Sequence, residues 1–114
     1  MTVDAKSTEV LRDLLKPTSL TLVTVYRLCK SGEIPSIRAV LRRAREEFGI
    51  ASHGTVGRAL TKLHAHGLIE IGRASRFPFK YKVTVTKYGV EFAKRIEGIV
   101  AFTTALTTDT VVRD

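Results

Sequence analysis

The stretch that decides the fold is residues 52–71, which read SHGTVGRALTKLHAHGLIEI. Ser52 has the chemistry and the position of a helix N-cap. The apolar residues after it recur at helical spacing and mark one inward face, formed by Val56, Ala59, Leu60 and Leu63. Gly67 ends this pattern, and the apolar residues that follow it begin a strand. The stretch therefore predicts a helix over residues 52–66 that leads into a β-strand.

A second amphipathic helix is predicted just upstream. After Pro35, apolar residues recur on one helical face until Gly49: Ile37, Val40, Leu41, Ala44 and Phe48. The opposite face carries arginines and two glutamates. Because only residues 49–51 separate this helix from Ser52, the pair predicts a helix-turn-helix unit.

A β-hairpin is predicted downstream. Residues 68–71 form a short apolar strand, and residues 79–86 read FKYKVTVT, a strict alternation typical of a strand. Gly72 and Pro78 bound the tip between the two strands. A hairpin that follows a helix-turn-helix unit forms a wing, which we expect over residues 72–80.

Three further helices are predicted around this unit. They cover residues 7–16, where Pro17 stops the helix; residues 19–30, which are apolar over most of their surface; and residues 87–108, which Thr86 caps. The sequence thus predicts one α+β, mainly α domain over residues 1–114. It comprises a winged helix-turn-helix core over residues 19–86, with a two- to three-stranded wing and extra N- and C-terminal helices.

The last helix carries residues at the four-three spacing of a coiled-coil seam: Phe92, Ile96, Ile99, Thr103 and Leu106. Such a seam is exposed in a monomer and invites pairing. We expect a homodimer that uses this seam together with Leu11 and Leu14 of the first helix. The alternative is that the last helix folds back on the first helix of its own chain.

The order of these motifs resembles a known family. Ser52-His-Gly-Thr-Val-Gly-Arg-Ala-Leu60, then Leu63 and Gly67-Leu-Ile-Glu70, resemble the recognition helix and first wing strand of winged-helix transcriptional regulators. Thr86-Lys-Tyr-Gly89 is similar to the Thr-x-x-Gly that opens the helix after the wing, and the likeness covers residues 19–97. It implies binding of double-stranded DNA, usually by a homodimer, and regulation of transcription.

Gly57, inside the recognition helix, departs from what a helix favours. Glycine in a helix interior costs about 1 kcal/mol relative to alanine. Close approach to a DNA groove is one reason for it, and simple tolerance is the other.

The charge distribution supports an anionic partner. The net charge is +8 and the pI is about 10.1. Residues 53–87 hold seven Lys and Arg residues against Glu70 alone, which gives +6 of the total. Arg58 is the candidate for a bidentate contact to guanine. The predicted DNA-contacting residues are Ser52, His53, Thr55, Gly57, Arg58, Thr61 and Lys62 of the recognition helix, Arg73, Arg76 and Lys80 of the wing, and Arg38 and Arg42 of the helix before it.

Each cationic feature also has a plainer interpretation. The recognition-helix residues are equally typical of a solvated helix face, and charged side chains protect an edge strand against aggregation. The arginines of residues 37–48 have Glu46 and Glu47 within reach for pairing at helical spacing. The same basic surface fits two rivals to a DNA-binding regulator: a ribonucleoprotein component that binds RNA, and an assembly module that binds only protein.

Catalytic and metal-binding motifs are missing from the sequence. His64 and His66 point about 200° apart on a helix, Cys29 is the single cysteine, and no nucleophile or phosphate-loop motif is present. We therefore predict no enzyme activity, no metal and no cofactor, and the sequence indicates no particular effector.

Without an apolar leader or a membrane span, we expect a cytoplasmic protein. The absence of Asn and Gln is typical of thermophiles and favours an archaeal source, although a GC-rich genome would give the same depletion.

Overall fold

The computed structural model describes residues 15–33, 35–73 and 81–109. Their elements follow the order α1 (Pro17–Ser31), α2 (Ile37–Phe48), α3 (His53–Ala65), β1 (Ile69–Arg73), β2 (Tyr81–Val85) and α4 (Lys87–Asp109). This confirms the α+β, mainly α class. None of these helices is long and apolar enough to cross a membrane.

Helix α1 is the centre of the structure. Its residues 20–26 and Leu28 are buried, and it packs against α2, α3, α4 and β2. Proline is well suited to the first position of a helix because its φ is preset and its missing N–H is not needed there. Pro17 accordingly begins α1, where the sequence pattern had it stop an earlier helix. Leu15 and Lys16 are the last two residues of the expected N-terminal helix over residues 7–16, and they are not helical. Residues 7–14 lie outside the described residues.

Both α2 and α3 begin at a serine cap, of which the sequence analysis predicts the one at Ser52. Ser36 Oγ accepts from the Ala39 N–H at 3.1 Å, and Ser52 Oγ accepts from the Thr55 N–H at 3.2 Å. Between the helices, Gly49 adopts φ 67° in the left-handed region that favours glycine. These signals turn the chain within residues 49–52 and fix how α3 follows α2.

The hairpin pairs β1 with β2 in antiparallel register, with Ile71 opposite Val83. A one-residue bridge joins Ser36 to Lys82, and the Val83 N–H donates to the Pro35 carbonyl at 2.9 Å. The sheet is therefore two-stranded with a rudimentary third member, in line with the expected two to three strands. The tip, residues 74–80, lies outside the described residues.

Helix α4 buries one face and exposes another apolar face. Ala93, Val100 and Thr103 are buried, and Ile96 packs partly buried against the core. The exposed side chains are Tyr88, Phe92, Ile99 and Phe102, which we call the α4 stripe.

The expected coiled-coil seam is therefore split between these two faces. Ile96 and Thr103 turn toward the core, whereas Phe92 and Ile99 turn outward. The four-three spacing does not separate two adjacent apolar faces on one helix, which is why the prediction merged them. Leu106 belongs to α4 but its side chain is not described, and Leu11 and Leu14 lie outside the described residues.

Candidate nucleic-acid interface

The outward face of α3 has the composition that the sequence predicts. Val56, Ala59, Leu60 and Leu63 are buried, as expected for the inward face. The predicted contact residues His53, Gly57, Arg58, Thr61 and Lys62 are exposed, as is Ser52, and Thr55 is partly buried. The orientation of α3 is therefore confirmed, whereas contact with DNA stays a prediction.

The cations of this face are free of acidic partners. Helix α3 contains no Asp or Glu. Within the part of the chain that the structure describes, neither Arg58 nor Lys62 takes part in an ion pair. Two side-chain charges on one exposed face thus remain available to an anionic partner.

The Arg58 side chain lies back along α3 toward its N-terminus. A Cβ atom built on Gly54 would lie 3.3 Å from Arg58 Nη1 and 3.7 Å from Ser52 Oγ. The backbone dipoles of a helix also concentrate positive potential at its N-terminus. The guanidinium and the helix end therefore favour the same group, a phosphate or the acceptor edge of a guanine.

Thr61 and Gly57 interact with each other. The Thr61 hydroxyl donates to the Gly57 carbonyl at 3.0 Å. Because that proton is engaged, Thr61 is available to a base mainly as an acceptor. A Cβ atom on Gly57 would meet nothing within 4 Å, so the fold itself does not require glycine at this position.

A cleft of about 370 Å³ runs between α2 and the start of α3. Its apolar lining comes from Ile37, Leu41 and Ala51, and its polar lining comes from three arginines and a histidine: Arg38, Arg42, Arg45 and His53. Since His53 is the first residue of α3, this cleft continues the basic surface of α3 onto α2.

The arginines of α2 divide into paired and unpaired groups. Arg42 contacts Glu33 at 3.2 Å and Glu46 at 3.9 Å, and the partly buried Arg43 contacts Glu33 at 2.8 Å. Arg38 and Arg45 have no ion pair within the described residues. Sequence reasoning missed Arg45 as a site residue, although its spacing of seven from Arg38 places both on one helical face.

The wing is described only at its base. Arg73 ends β1, opposite Tyr81 of β2. Lys82 is exposed and lines a shallow depression that also contains Glu70. Arg76 and Lys80 lie outside the described residues, so their contribution stays a prediction. No group of three or more His, Cys, Asp or Glu side chains in the described segments is arranged to hold a metal ion.

Three helices are followed by an antiparallel hairpin with an edge bridge from Ser36, and residues 49–52 join α2 to α3. This order defines a winged helix-turn-helix fold. Solved structures agree with this assignment. The crystal structure of AF1382 from Archaeoglobus fulgidus matches with a TM-score of 0.64 at 17% identity, over 81% of this chain and 93% of that chain. A mutant of S. aureus MepR matches with a TM-score of 0.62 at 13% identity, over 95% of this chain and 75% of that chain.

A further match is the crystal structure of an S. aureus MepR–DNA complex, with a TM-score of 0.64 at 14% identity, over 96% of this chain and 73% of that chain. At such low identities the likeness establishes the fold. No family model matches the sequence, and no curated protein matches it.

Proposed function

We propose that this chain is a transcriptional regulator that binds double-stranded DNA sequence-specifically as a homodimer. The observation that carries the proposal is the outward face of α3, which is exposed and basic and has no acidic residue. A helix of this kind fits the major groove of B-DNA. A protein of the same fold, S. aureus MepR, has been crystallised with DNA, which is consistent with this use of the fold.

In this proposal α3 reads the bases. Arg58 contacts guanine in a bidentate manner, because its guanidinium matches the two acceptors on the major-groove edge. His53, Thr55 and Thr61 contact neighbouring bases or phosphates, and Ser52 holds the helix start. Gly57 lets the helix backbone approach the groove closely.

Other cations supply affinity without sequence preference. Lys62, Arg38 and Arg42 contact backbone phosphates, and the cleft beside α2 adds Arg45. The wing, with Arg73, Arg76 and Lys80, contacts the backbone or enters the minor groove. Each phosphate neutralised by such a cation releases counterions, which makes binding strongly salt-dependent.

The α4 stripe is the proposed dimer interface. Tyr88, Phe92, Ile99 and Phe102 are 72%, 50%, 45% and 65% exposed. With Arg95 they repeat at four-three spacing along one side of a 23-residue helix about 35 Å long. Arg95 lies 3.7 Å from Glu91, so the charge within the stripe has a partner on its own helix.

A second copy of this chain offers the same stripe, and symmetric dimers are the commonest oligomers. Two-fold pairing would present two α3 helices to half-sites about one helical turn of DNA apart.

Selection of bound sequences from a random duplex library, read at two salt concentrations, tests the proposal. We expect an enriched pseudo-palindromic sequence and weaker binding at the higher salt. Structured RNA that outcompetes the selected duplex would instead favour the ribonucleoprotein role. Absent or salt-insensitive DNA binding would favour a protein-binding module.

A further inference from the structure

Arg27 on α1 contacts two other helices through one guanidinium. Its Nε and Nη2 donate to the two carboxylate oxygens of Glu97 on α4, at 2.7 and 2.6 Å. Its Nη1 donates to Glu47 on α2 at 3.2 Å. The guanidinium carbon also lies 5.4 Å from the ring centre of Phe48, the buried last residue of α2. One side chain thus ties the central helix to both α4 and the helix-turn-helix unit.

This ion cluster is shielded from solvent. The side chains of Arg27, Glu47 and Glu97 are only 23%, 12% and 27% exposed. Hydrogen bonding to Glu97 raises the pKa of the Arg27 guanidinium above its ordinary value; partial burial opposes this rise, and the charges of Glu97 and Glu47 add to it. Arg27 therefore remains charged wherever the protein is folded.

The cluster continues along α2. Glu47 also contacts Arg43 at 3.2 Å, and Arg43 contacts Glu33 in the segment that precedes α2 at 2.8 Å. The carboxylate on α2 is therefore held from two directions. The Arg27 guanidinium therefore links Glu97 on α4 directly to Glu47 on α2.

Apolar packing and a directional ion pair both hold α4 against the rest of the fold. Ala93 and Val100 bury small side chains in the core cluster that α1 dominates, and apolar contact is not directional. A bidentate guanidinium–carboxylate pair does impose a direction, because both N–H···O bonds must align. Without Arg27, the Glu47 and Glu97 carboxylates would face the same space without a cation between them.

We propose that Arg27 is a positioning residue that sets the angle between α4 and the α2–α3 unit. The proposal rests on the proposed function, in which α4 joins two subunits and α3 reads DNA. In such a dimer, the angle between these elements fixes the distance between the two recognition helices. Arg27 thereby determines which spacing of half-sites the dimer accepts.

The first measurement follows the angle in the protein without DNA. Nitroxide labels are placed at His64→Cys on α3 and Lys94→Cys on α4 in a Cys29→Ser background, and labelled chains are diluted with unlabelled protein. Pulsed electron resonance then gives the distance distribution within one subunit. Glu97→Gln, which removes one charge from the cluster, should broaden or shift this distribution. Arg27→Lys, which keeps the charge but loses the planar fork, should do the same.

The second measurement compares duplexes whose half-sites are separated by different numbers of base pairs. For both variants, the preference of the wild type for one spacing should fall by roughly fivefold or more, which is the lower end of typical coupling between distant sites. Binding to an isolated half-site should not change. The control is Lys94→Ala, because Lys94 is exposed on α4, lies outside the α4 stripe and has no ion pair within the described residues.

Unchanged distances in both Glu97→Gln and Arg27→Lys would overturn the positioning role. Changed distances with an unchanged spacing preference would overturn its part in DNA recognition. A wild-type chain that binds no duplex would contradict the proposed function and the spacing role together, while the distances would still decide whether Arg27 positions α4.

Discussion

Gly89, in the first turn of α4, lies directly against the backbone carbonyl of Leu68. A Cβ atom built on Gly89 would overlap Leu68 O and would lie 2.6 Å from Val85 Cγ2. Thr86 holds the same junction, because its hydroxyl donates to the Gly67 carbonyl at 2.7 Å and accepts from the Gly89 N–H at 3.0 Å. The Thr-x-x-Gly pattern at residues 86–89 thus fixes where α4 begins relative to the end of α3.

Replacement of Gly89 by alanine should destabilise the fold. The added methyl group has to displace backbone, and forced overpacking of this kind costs about 1–3 kcal/mol. Gly98→Ala on the same helix is the matched control: a Cβ atom there meets nothing within 4 Å, so the variant should gain up to about 1 kcal/mol from helix propensity. Urea unfolding measures both. Equal stability of Gly89→Ala and wild type would contradict the proposed close contact.

Replacement of Gly57 by alanine should have opposite effects on folding and on DNA binding. The position is helical, exposed and without neighbours within 4 Å, so alanine should raise the free energy of unfolding by about 1 kcal/mol. If α3 enters the groove at Gly57, the same methyl group should weaken binding to the selected duplex. Gly98→Ala serves again as control, with a comparable gain in stability and unchanged binding. A Gly57→Ala protein that binds DNA as tightly as wild type would show that the glycine is merely tolerated.

Arg58→Ala should remove sequence preference at one position of the half-site. A bidentate contact to guanine contributes about 1–3 kcal/mol of discrimination, which the truncated side chain no longer supplies. Repeating the selection from random duplexes with this variant shows which position loses its preference. Lys94→Ala is the control, because it makes the same change in net charge at an exposed site of α4, away from α3. An unaltered selected sequence with Arg58→Ala would mean that another residue reads that base.

Local signals were sufficient for the elements that carry the site. The N-cap role of Ser52, the helix end at Gly49 and the inward face of α3 all depend on residues within about one helical turn of each other, so the sequence pattern predicts them directly. For the same reason, the exposed face of α3 could be predicted from the sequence. Whatever is not buried on a helix of known periodicity must face outward.

Contacts between residues that are far apart in the chain could not be predicted from the sequence pattern. Arg27 and Glu97 are 70 positions apart, and nothing in their spacing indicates that they form a bidentate pair. The division of α4 into a core face and an exposed stripe depends on where α1 lies. Helix α1 begins at Pro17, two residues before the predicted start at residue 19, because proline can end one helix or begin the next, and the choice depends on the residues around it.

Arg38→Ala should weaken binding to all duplexes by a similar factor. Arg38 lines the cleft beside α3 and has no ion pair within the described residues, so a backbone phosphate is the expected partner. Loss of one phosphate contact should reduce the slope of log binding constant against log salt concentration by about 0.9. Titrations at several salt concentrations, with Lys94→Ala as control, measure this slope. A slope equal to that of wild type would remove Arg38 from the interface.

Phe102→Asp should dissociate the proposed dimer without unfolding the chain. Phe102 is 65% exposed and belongs to the α4 stripe, so the charge would be buried only if a second copy covers it. Ala101→Asp is a matched control, because residue 101 is also exposed but lies about 100° further around the same helix. Sedimentation velocity should show a monomer for Phe102→Asp and a dimer for Ala101→Asp, while circular dichroism shows the same helix content for both. Since each monomer would then hold a single half-site, Phe102→Asp should also bind the full palindrome no more tightly than one half. If both variants sediment like wild type as dimers, the interface lies elsewhere than on the α4 stripe.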